Sequence, residues 1–167
     1  NPTCIVAVNN RRNKGVEKIL SDQPETNIIL LDDGFQHRRI KAGLNIIVTP
    51  FYKPFIKDDL LPLGTLREPA NGATRADIIL VSKTLKHANP TEKKGIIENL
   101  NLKAHQKAYF SSITYHKYKC LENNTELENE EEYSITLVSG VTNSSPLENH
   151  LEEKERKVNL IKFADHH

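Results

Sequence analysis

Two adjacent carboxylates, Asp32 and Asp33, stand directly after a run of apolar residues in the string "NIILLDDGFQHRR". Carboxylate oxygens suit a hard cation such as Mg²⁺, which is commonly held by one or two carboxylates together with waters and substrate phosphates. An apolar strand that ends in Asp is typical of the magnesium side of phosphate-loop nucleotide hydrolases and kinases. The string also fits a strand that simply ends in an Asx turn, so both interpretations stay open.

The elements that must position these carboxylates are predicted from hydrophobic periodicity. We predict strands at residues 3–8, 27–31, 44–50, 77–82, 133–140 and 158–163, and helices at residues 15–20, 90–101 and 145–155. Continuous apolar strands separated by helices indicate an α/β fold with a parallel sheet that helices cover on both faces. Ligands bind at the carboxyl ends of the strands in such sheets, so Asp32 and Asp33 are expected to reach a ligand crevice.

Two further stretches have a different character. Residues 108–121 alternate between apolar and polar side chains and are rich in Tyr, Thr and Ser, which predicts an exposed antiparallel strand. Residues 126–132 are strongly acidic and predict a solvated turn.

Composition narrows the function classes. The net charge of the 167 residues is +1, which gives no basic surface for bulk nucleic acid or for a membrane. No apolar run approaches the roughly 18–20 residues that a membrane-spanning helix needs. The only cysteines, Cys4 and Cys120, lie far apart and predict free thiols in a reducing compartment.

The phosphate-binding partner of the acidic pair is absent, because none of the seven glycines is followed by Lys as in G-x-x-x-x-G-K-[ST]. The chain starts without Met at a strand-like run and stops shortly after another. We therefore expect a piece of a longer protein whose phosphate loop precedes Asn1. A non-catalytic α/β nucleotide-binding module would explain the missing loop without truncation. A glycine-rich GK[ST] loop in the upstream reading frame would distinguish the two.

Five strings occur in one order along nearly the whole chain: "LLDDGFQHRR", "LLPLGTLREP", "RADIILVSK", "VSGVTNSSPL" and "FADHH". In these strings the chain resembles the tetraacyldisaccharide 4'-kinases, the lipid A kinases of Gram-negative bacteria. The resemblance implies transfer of the γ-phosphate of ATP to the 4'-hydroxyl of a tetraacylated glucosamine disaccharide, with Mg²⁺, at the cytoplasmic face of the inner membrane. It implies peripheral association of the full-length protein with that membrane, a tetraacyl disaccharide 1-phosphate as substrate, and no nucleic-acid partner.

The same resemblance implies an architecture and its parts. A phosphate-loop kinase core would occupy residues 1–108, a linker of two strands and an acidic turn residues 109–134, and the start of a smaller α/β domain residues 135–167. Without the phosphate loop, we expect this chain alone to be soluble and inactive. The core sheet would also lack a strand, and the open edge could then pair two copies of the chain.

The resemblance also implies roles for individual residues. Asp32 and Asp33 match the acidic pair on the magnesium side. Arg67 and Glu68 match the LREP motif near the phosphates and the sugar, although an Arg next to a Glu could equally be a surface ion pair. Arg67 could fork onto phosphate oxygens, since its guanidinium matches their geometry.

Asp165 and His166 match a pair that reaches over from the second domain. In the family, this histidine helps an aspartate near the phosphate loop to activate the sugar hydroxyl, and that aspartate would precede Asn1. A histidine oriented by a carboxylate is a suitable helper for a general base.

Three other residues are weaker candidates for the nucleotide site. His37, followed by two arginines, could contact an anionic ligand or begin a solvated helix, and Gln36 could brace the same turn. Lys83 follows a predicted strand where related nucleotide-binding proteins contact the base. A phosphate-loop ATPase or GTPase of another pathway would share the acidic pair, but would give no reason for the LREP motif or for the Asp165–His166 pair.

Overall fold

The computed structural model describes residues 4–126, 134–139, 144–152 and 158–162. Contacts divide the chain into two compact units, Asn1–Thr114 and Tyr115–His167. The first unit contains α1 (Arg12–Asp22), β1 (Ile46–Pro50), β2 (Ile78–Ser82), α2 (Pro90–Leu100) and β3 (Lys107–Phe110). The second contains β4 (Ile135–Ser139), α3 (Ser145–Glu152) and β5 (Val158–Lys162). Two short 3-10 helices, Phe55–Lys57 and Ala70–Arg75, lie in the first unit.

The sheet of the first unit has the order β1-β2-β3, and both neighbouring pairs are parallel. Ile46 lies opposite Ile78, which in turn lies opposite Lys107. The helix α2 connects β2 to β3, as a parallel connection requires. The predicted α/β class with parallel strands is confirmed.

The core of this unit lies on one face of the central strand. Ile79 and Val81, on alternate positions of β2, are only 1% and 0% exposed. They form a buried cluster with Ala76 and Leu100. Partly buried apolar side chains pack around this cluster: Phe35, Ile47, Phe51, Phe55, Ile56, Ile96, Leu102, Ala108 and Phe110.

Local sequence signals specify both ends of the helix α2. The side chain of Asn89 accepts a hydrogen bond from the backbone in the first turn, and the side chain of Glu92 accepts one from the Asn89 backbone N–H at 3.0 Å. Pro90 occupies the first helical position, where its missing N–H costs nothing. The helix ends at Asn101, whose φ of 47° is left-handed. The predicted helix at 90–101 is confirmed.

The second unit contains a smaller parallel pair. Ile135 of β4 lies opposite Val158 of β5, and α3 lies between the two strands in the chain. Leu151 of α3 is 3% exposed, so this helix buries its apolar side. The strands and the helix predicted for this part of the chain are confirmed over the described residues.

The strands predicted at 3–8 and 27–31 are wrong over their described residues. Residues 4–8 and 27–31 form no strand, and Val8 and Leu30 are 92% and 89% exposed. A strand needs a neighbour to satisfy its backbone N–H and C=O groups, and neither segment has one within the described chain. The apolar character of these two segments is therefore not enough to make them strands. Asp32 and Asp33 accordingly follow an extended segment rather than a sheet strand.

The antiparallel strand predicted at residues 108–121 is also wrong, because residues 111–121 form no strand and only an isolated antiparallel bridge joins Lys119 to Glu126. Residues 107–110 form β3, which runs parallel to β2 and shows the alternating burial that suggested an exposed strand. The alternation arises because Ala108 and Phe110 pack against the buried cluster, whereas Lys107 and Tyr109 are exposed.

Several predictions about the larger architecture stay predictions. The two compact units are defined by contacts alone, so the predicted boundaries of the core, the linker and the second domain at residues 108 and 134 stay predictions. The linker, the second domain and helices on both faces of the core likewise stay predictions. β1 forms the other edge of the described sheet, with Val48 exposed, and pairing of two copies at such an edge also stays a prediction.

Ile79→Ala should lower the free energy of unfolding of the first unit by about 2–5 kcal/mol, because it leaves a cavity in the buried cluster. Val48→Ala, in the neighbouring strand but exposed, should change it by less than about 0.5 kcal/mol. Urea unfolding monitored by circular dichroism measures both values. Equal effects of the two substitutions would contradict the position of the core.

Candidate functional site

The acidic loop, residues 32–37, is a series of tight turns. The backbone N–H of His37 donates to Gly34 O at 3.0 Å, and that of Arg38 donates to Gln36 O at 3.0 Å. Asp33 has a φ of 48°, a left-handed conformation that Asp tolerates better than most residues. The turns keep the two carboxylates together on an exposed surface.

The Asp58 loop, residues 58–65, leads into the Arg67–Glu68 segment. The Asp58 carboxylate accepts hydrogen bonds from Lys53 Nζ at 2.8 Å, from the backbone of Asp59 at 2.9 Å and from the backbone of Thr65 at 3.3 Å, and also from the Thr65 hydroxyl. The hydrogen bonds from Lys53 and Thr65 hold the pKa of Asp58 well below its usual value. Gly64 is required because a Cβ there would overlap the backbone of Asp59. The loop is therefore fixed from within.

An ion pair between Arg67 Nη1 and Asp33 Oδ2 joins the acidic loop to the Arg67–Glu68 segment. The two residues are 34 positions apart in the sequence. Their side chains are 60% and 62% exposed, so the pair is accessible to a ligand. The structure therefore brings together two of the predicted site motifs, the acidic pair and LREP.

Glu68 lies between two arginines. Arg75 Nη2 donates to Oε1 at 2.8 Å and to Oε2 at 3.1 Å, while Arg38 Nη2 donates to Oε2 at 3.2 Å. Partial burial tends to raise the pKa of Glu68, but the hydrogen bonds and charges of Arg75 and Arg38 outweigh it and leave the pKa below its ordinary value. Glu68 is thus an ionised, largely enclosed carboxylate rather than a solvated surface ion.

Sequence reasoning missed Arg75. Its guanidinium also donates to Phe35 O at 3.1 Å and stacks over the Phe35 ring, 4.5 Å from the centroid. Arg75 belongs to the string "RADIILVSK", but a single Arg before a strand gave no indication of its partners.

The other predicted site residues have different positions. Gln36 and His37 are half-buried in the acidic loop. Lys83 is exposed directly after β2 with a left-handed φ of 54°, and its ammonium group makes no hydrogen bond or ion pair with the described residues. Asp165 and His166 lie outside the described residues.

Asp32 and Asp33 offer carboxylate oxygens, which are the donors that Mg²⁺ prefers. The described ranges contain no group of three or more His, Cys, Asp or Glu side chains that could enclose a metal. Mg²⁺ does not need such an enclosure, since one or two carboxylates commonly hold it when phosphates and waters complete the shell. Adjacent, exposed carboxylates beside a guanidinium therefore fit Mg²⁺ presented by a nucleotide.

The chain is similar to known proteins over its whole length. The family model described as tetraacyldisaccharide-1-P 4'-kinase matches residues 1–167. A protein of Bacteroides fragilis named tetraacyldisaccharide 4'-kinase is 38% identical over 172 residues, which cover 97% of this chain and 45% of that protein. A protein of the same name from Cytophaga hutchinsonii is 39% identical over 165 residues, with the same two shares covered. The chain spans about half the length of the curated relatives it matches.

No solved structure matches the chain. None of the helices in the described ranges has the length and apolar character needed to cross a membrane.

Glu68→Gln should lower the free energy of unfolding at pH 7 by about 1–3 kcal/mol, because charge-assisted hydrogen bonds to both arginines are weakened. The folded-state pKa of Glu68 is lowered, so its contribution is full above the unfolded value of about 4.3 and is lost as the pH falls through the folded value. The difference between wild type and variant should therefore shrink below about pH 4. Urea unfolding at several pH values measures it.

The matched control is Glu98→Gln. Glu98 pairs with Lys94 on α2, but its side chain is 66% exposed, against 20% for Glu68. Glu98→Gln should change the free energy of unfolding by less than about 0.5 kcal/mol at any of these pH values. A Glu68 effect as small as the control would mean that the two arginines do not stabilise the carboxylate.

Proposed function

The chain belongs to the tetraacyldisaccharide-1-P 4'-kinase family, and from this premise we propose that the whole protein transfers the γ-phosphate of ATP to the 4'-hydroxyl of a tetraacylated glucosamine disaccharide 1-phosphate. The observation that carries the proposal is the ion pair of Arg67 with Asp33. It joins the acidic pair to the LREP motif, the two groups expected to face the phosphates.

The acidic loop has the donor set for the metal. Asp32 and Asp33 are exposed and adjacent, and both carboxylates are available to Mg²⁺ that arrives with the nucleotide. When bound, Mg²⁺ neutralises negative charge on the phosphate oxygens. Asp33 would then exchange its guanidinium partner for the cation, which is a small loss because the exposed pair is worth little in water.

Arg67 is the residue available to the phosphate itself. Release from Asp33 leaves its guanidinium free to donate two parallel hydrogen bonds to phosphate oxygens. Glu68, held by two arginines, keeps the neighbouring backbone in place while Arg67 changes partner. Phosphate binding by Arg67 and backbone support by Glu68 suit phosphoryl transfer, which depends mainly on positioning and on charge stabilisation.

Proton removal from the sugar hydroxyl is assigned to the other end of the chain. His166, oriented by Asp165, would help a carboxylate outside this chain to accept the hydroxyl proton. The assignment is supported by the motif alone, since both residues lie outside the described ranges. We also propose nucleotide contacts for Gln36 and His37 in the acidic loop and for Lys83 directly after β2.

The location follows from the substrate. A disaccharide with four acyl chains resides in a membrane, so the whole protein must act at a membrane surface. We place it at the cytoplasmic face of the inner membrane, where ATP and Mg²⁺ are available. No nucleic-acid partner is proposed, in keeping with the net charge of +1.

Asp33→Asn in the full-length protein should slow phosphoryl transfer at least about tenfold, because the amide is a poorer ligand for a hard cation. The assay uses ATP, Mg²⁺ and the tetraacyl disaccharide 1-phosphate, with the 4'-phosphate product quantified. Asp22→Asn is the matched control, since Asp22 forms only an exposed pair with Lys18 on α1. Equal rates for wild type and Asp33→Asn would remove the magnesium role of Asp33.

His166→Ala should slow the same reaction by about 100-fold or more, the usual contribution of a positioned acid–base group. His167→Ala, the adjacent histidine, should retain most of the wild-type rate. If wild type hydrolyses ATP without phosphorylating the disaccharide, the protein is an ATPase of another pathway, and the roles of Arg67, Glu68 and His166 lose their support.

A further inference from the structure

Arg75 contacts two segments that the sequence keeps far apart. One of its nitrogens, Nη2, donates to Phe35 O at 3.1 Å, across 40 residues, and to both carboxylate oxygens of Glu68. Phe35 follows Asp33 by two positions, and Glu68 follows Arg67 directly. Arg75 therefore touches the backbone or side chain next to each partner of the exposed Asp33–Arg67 pair.

The Phe35 contact is more than a single hydrogen bond. The guanidinium lies over the Phe35 ring at 4.5 Å from the centroid, and the ring packs against the buried cluster of the first unit. A planar guanidinium can lie over a ring and donate in its own plane at the same time. The acidic loop is thus attached to the core through Arg75.

The position of the Arg75–Glu68 pair is tightly specified by Gly72. A Cβ at this buried glycine would lie 3.1 Å from Glu68 Cδ and 3.2 Å from Arg75 Nη1, closer than most real contacts. The pair therefore lies directly against the backbone of the 3-10 helix, and a Cβ at position 72 would fit only if the pair shifted by a few tenths of an ångström.

The Asp33–Arg67 pair cannot fix these segments by itself. Both of its side chains are largely exposed, and exposed ion pairs add little to stability. Something else must hold the acidic loop and the Arg67–Glu68 segment at the right separation. Among the described residues, Arg38 and Arg75 both connect the two segments through Glu68. The side chain of Arg75 is the more buried of the two, since it is 34% exposed and that of Arg38 is 66% exposed.

We propose that Arg75 is a positioning residue that holds the acidic loop and the Arg67–Glu68 segment in register, so that Asp33 and Arg67 meet the nucleotide phosphates together. Its catalytic consequence rests on the proposed function. Its structural consequence, the fixed separation of the two segments, does not.

The test uses the full-length protein with Arg75→Gln and Arg75→Lys. Amide hydrogen exchange should become at least about tenfold faster in residues 33–38 and 66–68 of the Gln variant, because both segments lose their common anchor. The Lys variant keeps a charge near Glu68 but loses the guanidinium that lies over the Phe35 ring, so exchange should accelerate more at 33–38 than at 66–68. Arg11→Gln, an exposed arginine without a described side-chain partner, is the matched control.

Kinetics supply the second readout. Arg75→Gln should lower kcat by about 10- to 100-fold, as expected for misplaced reacting groups. The KM for ATP should stay within about threefold, because Arg75 is proposed to hold the two segments rather than to bind the nucleotide. If the Gln variant does not fold, the Lys variant decides by the same two measurements.

The outcomes are distinguishable. Wild-type exchange in both segments of a folded Arg75 variant overturns the proposal, and so does accelerated exchange with an unchanged kcat. A wild-type protein that never phosphorylates the disaccharide refutes the proposed function instead, while hydrogen exchange still decides whether Arg75 joins the two segments.

Discussion

The enclosed carboxylate of Glu68, bonded to Arg75 and Arg38, sets the geometry of the whole site. Burying a carboxylate is costly unless hydrogen bonds and opposite charge compensate it, and two guanidiniums do so here. Because Glu68 is fixed, the preceding Arg67 emerges at a defined point facing Asp33. The position of the exposed Asp33–Arg67 pair thus depends on the enclosed Glu68–Arg75 pair.

The enclosed pair is in turn attached to the hydrophobic core over a very short stretch of chain. Arg75 ends a 3-10 helix, the fully buried Ala76 follows it directly, and β2 begins two residues later. The ring of Phe35 packs onto the same core from the acidic loop. Among the described residues, side-chain contacts rather than sheet hydrogen bonds connect the acidic loop to this core.

The sequence was informative where local rules decide the outcome, and less so where neighbours do. Proline at the first position and the Asn89–Glu92 capping box specify α2, and an apolar run next to a helix predicts β2. The run at 27–31 satisfies the same rule but has no neighbour in the described chain, so its backbone groups stay unpaired by a sheet. The motifs around Asp33 and Arg67 were recognisable, whereas their contact, and the role of Arg75, depend on tertiary proximity that spacing does not encode.

The two ion pairs differ in a way that suits phosphoryl transfer. Asp33 and Arg67 are exposed, so each can leave the other at little cost. In the proposed reaction the carboxylate gains a cation and the guanidinium gains phosphate oxygens, so neither charge is left uncompensated at any stage. Separating Glu68 from Arg75 would instead leave a partly buried charge with only the exposed Arg38 as its partner, which is unfavourable. Substrate charge can therefore open the first pair without disturbing the second, and the segments that carry Asp33 and Arg67 keep their separation while those two side chains change partners.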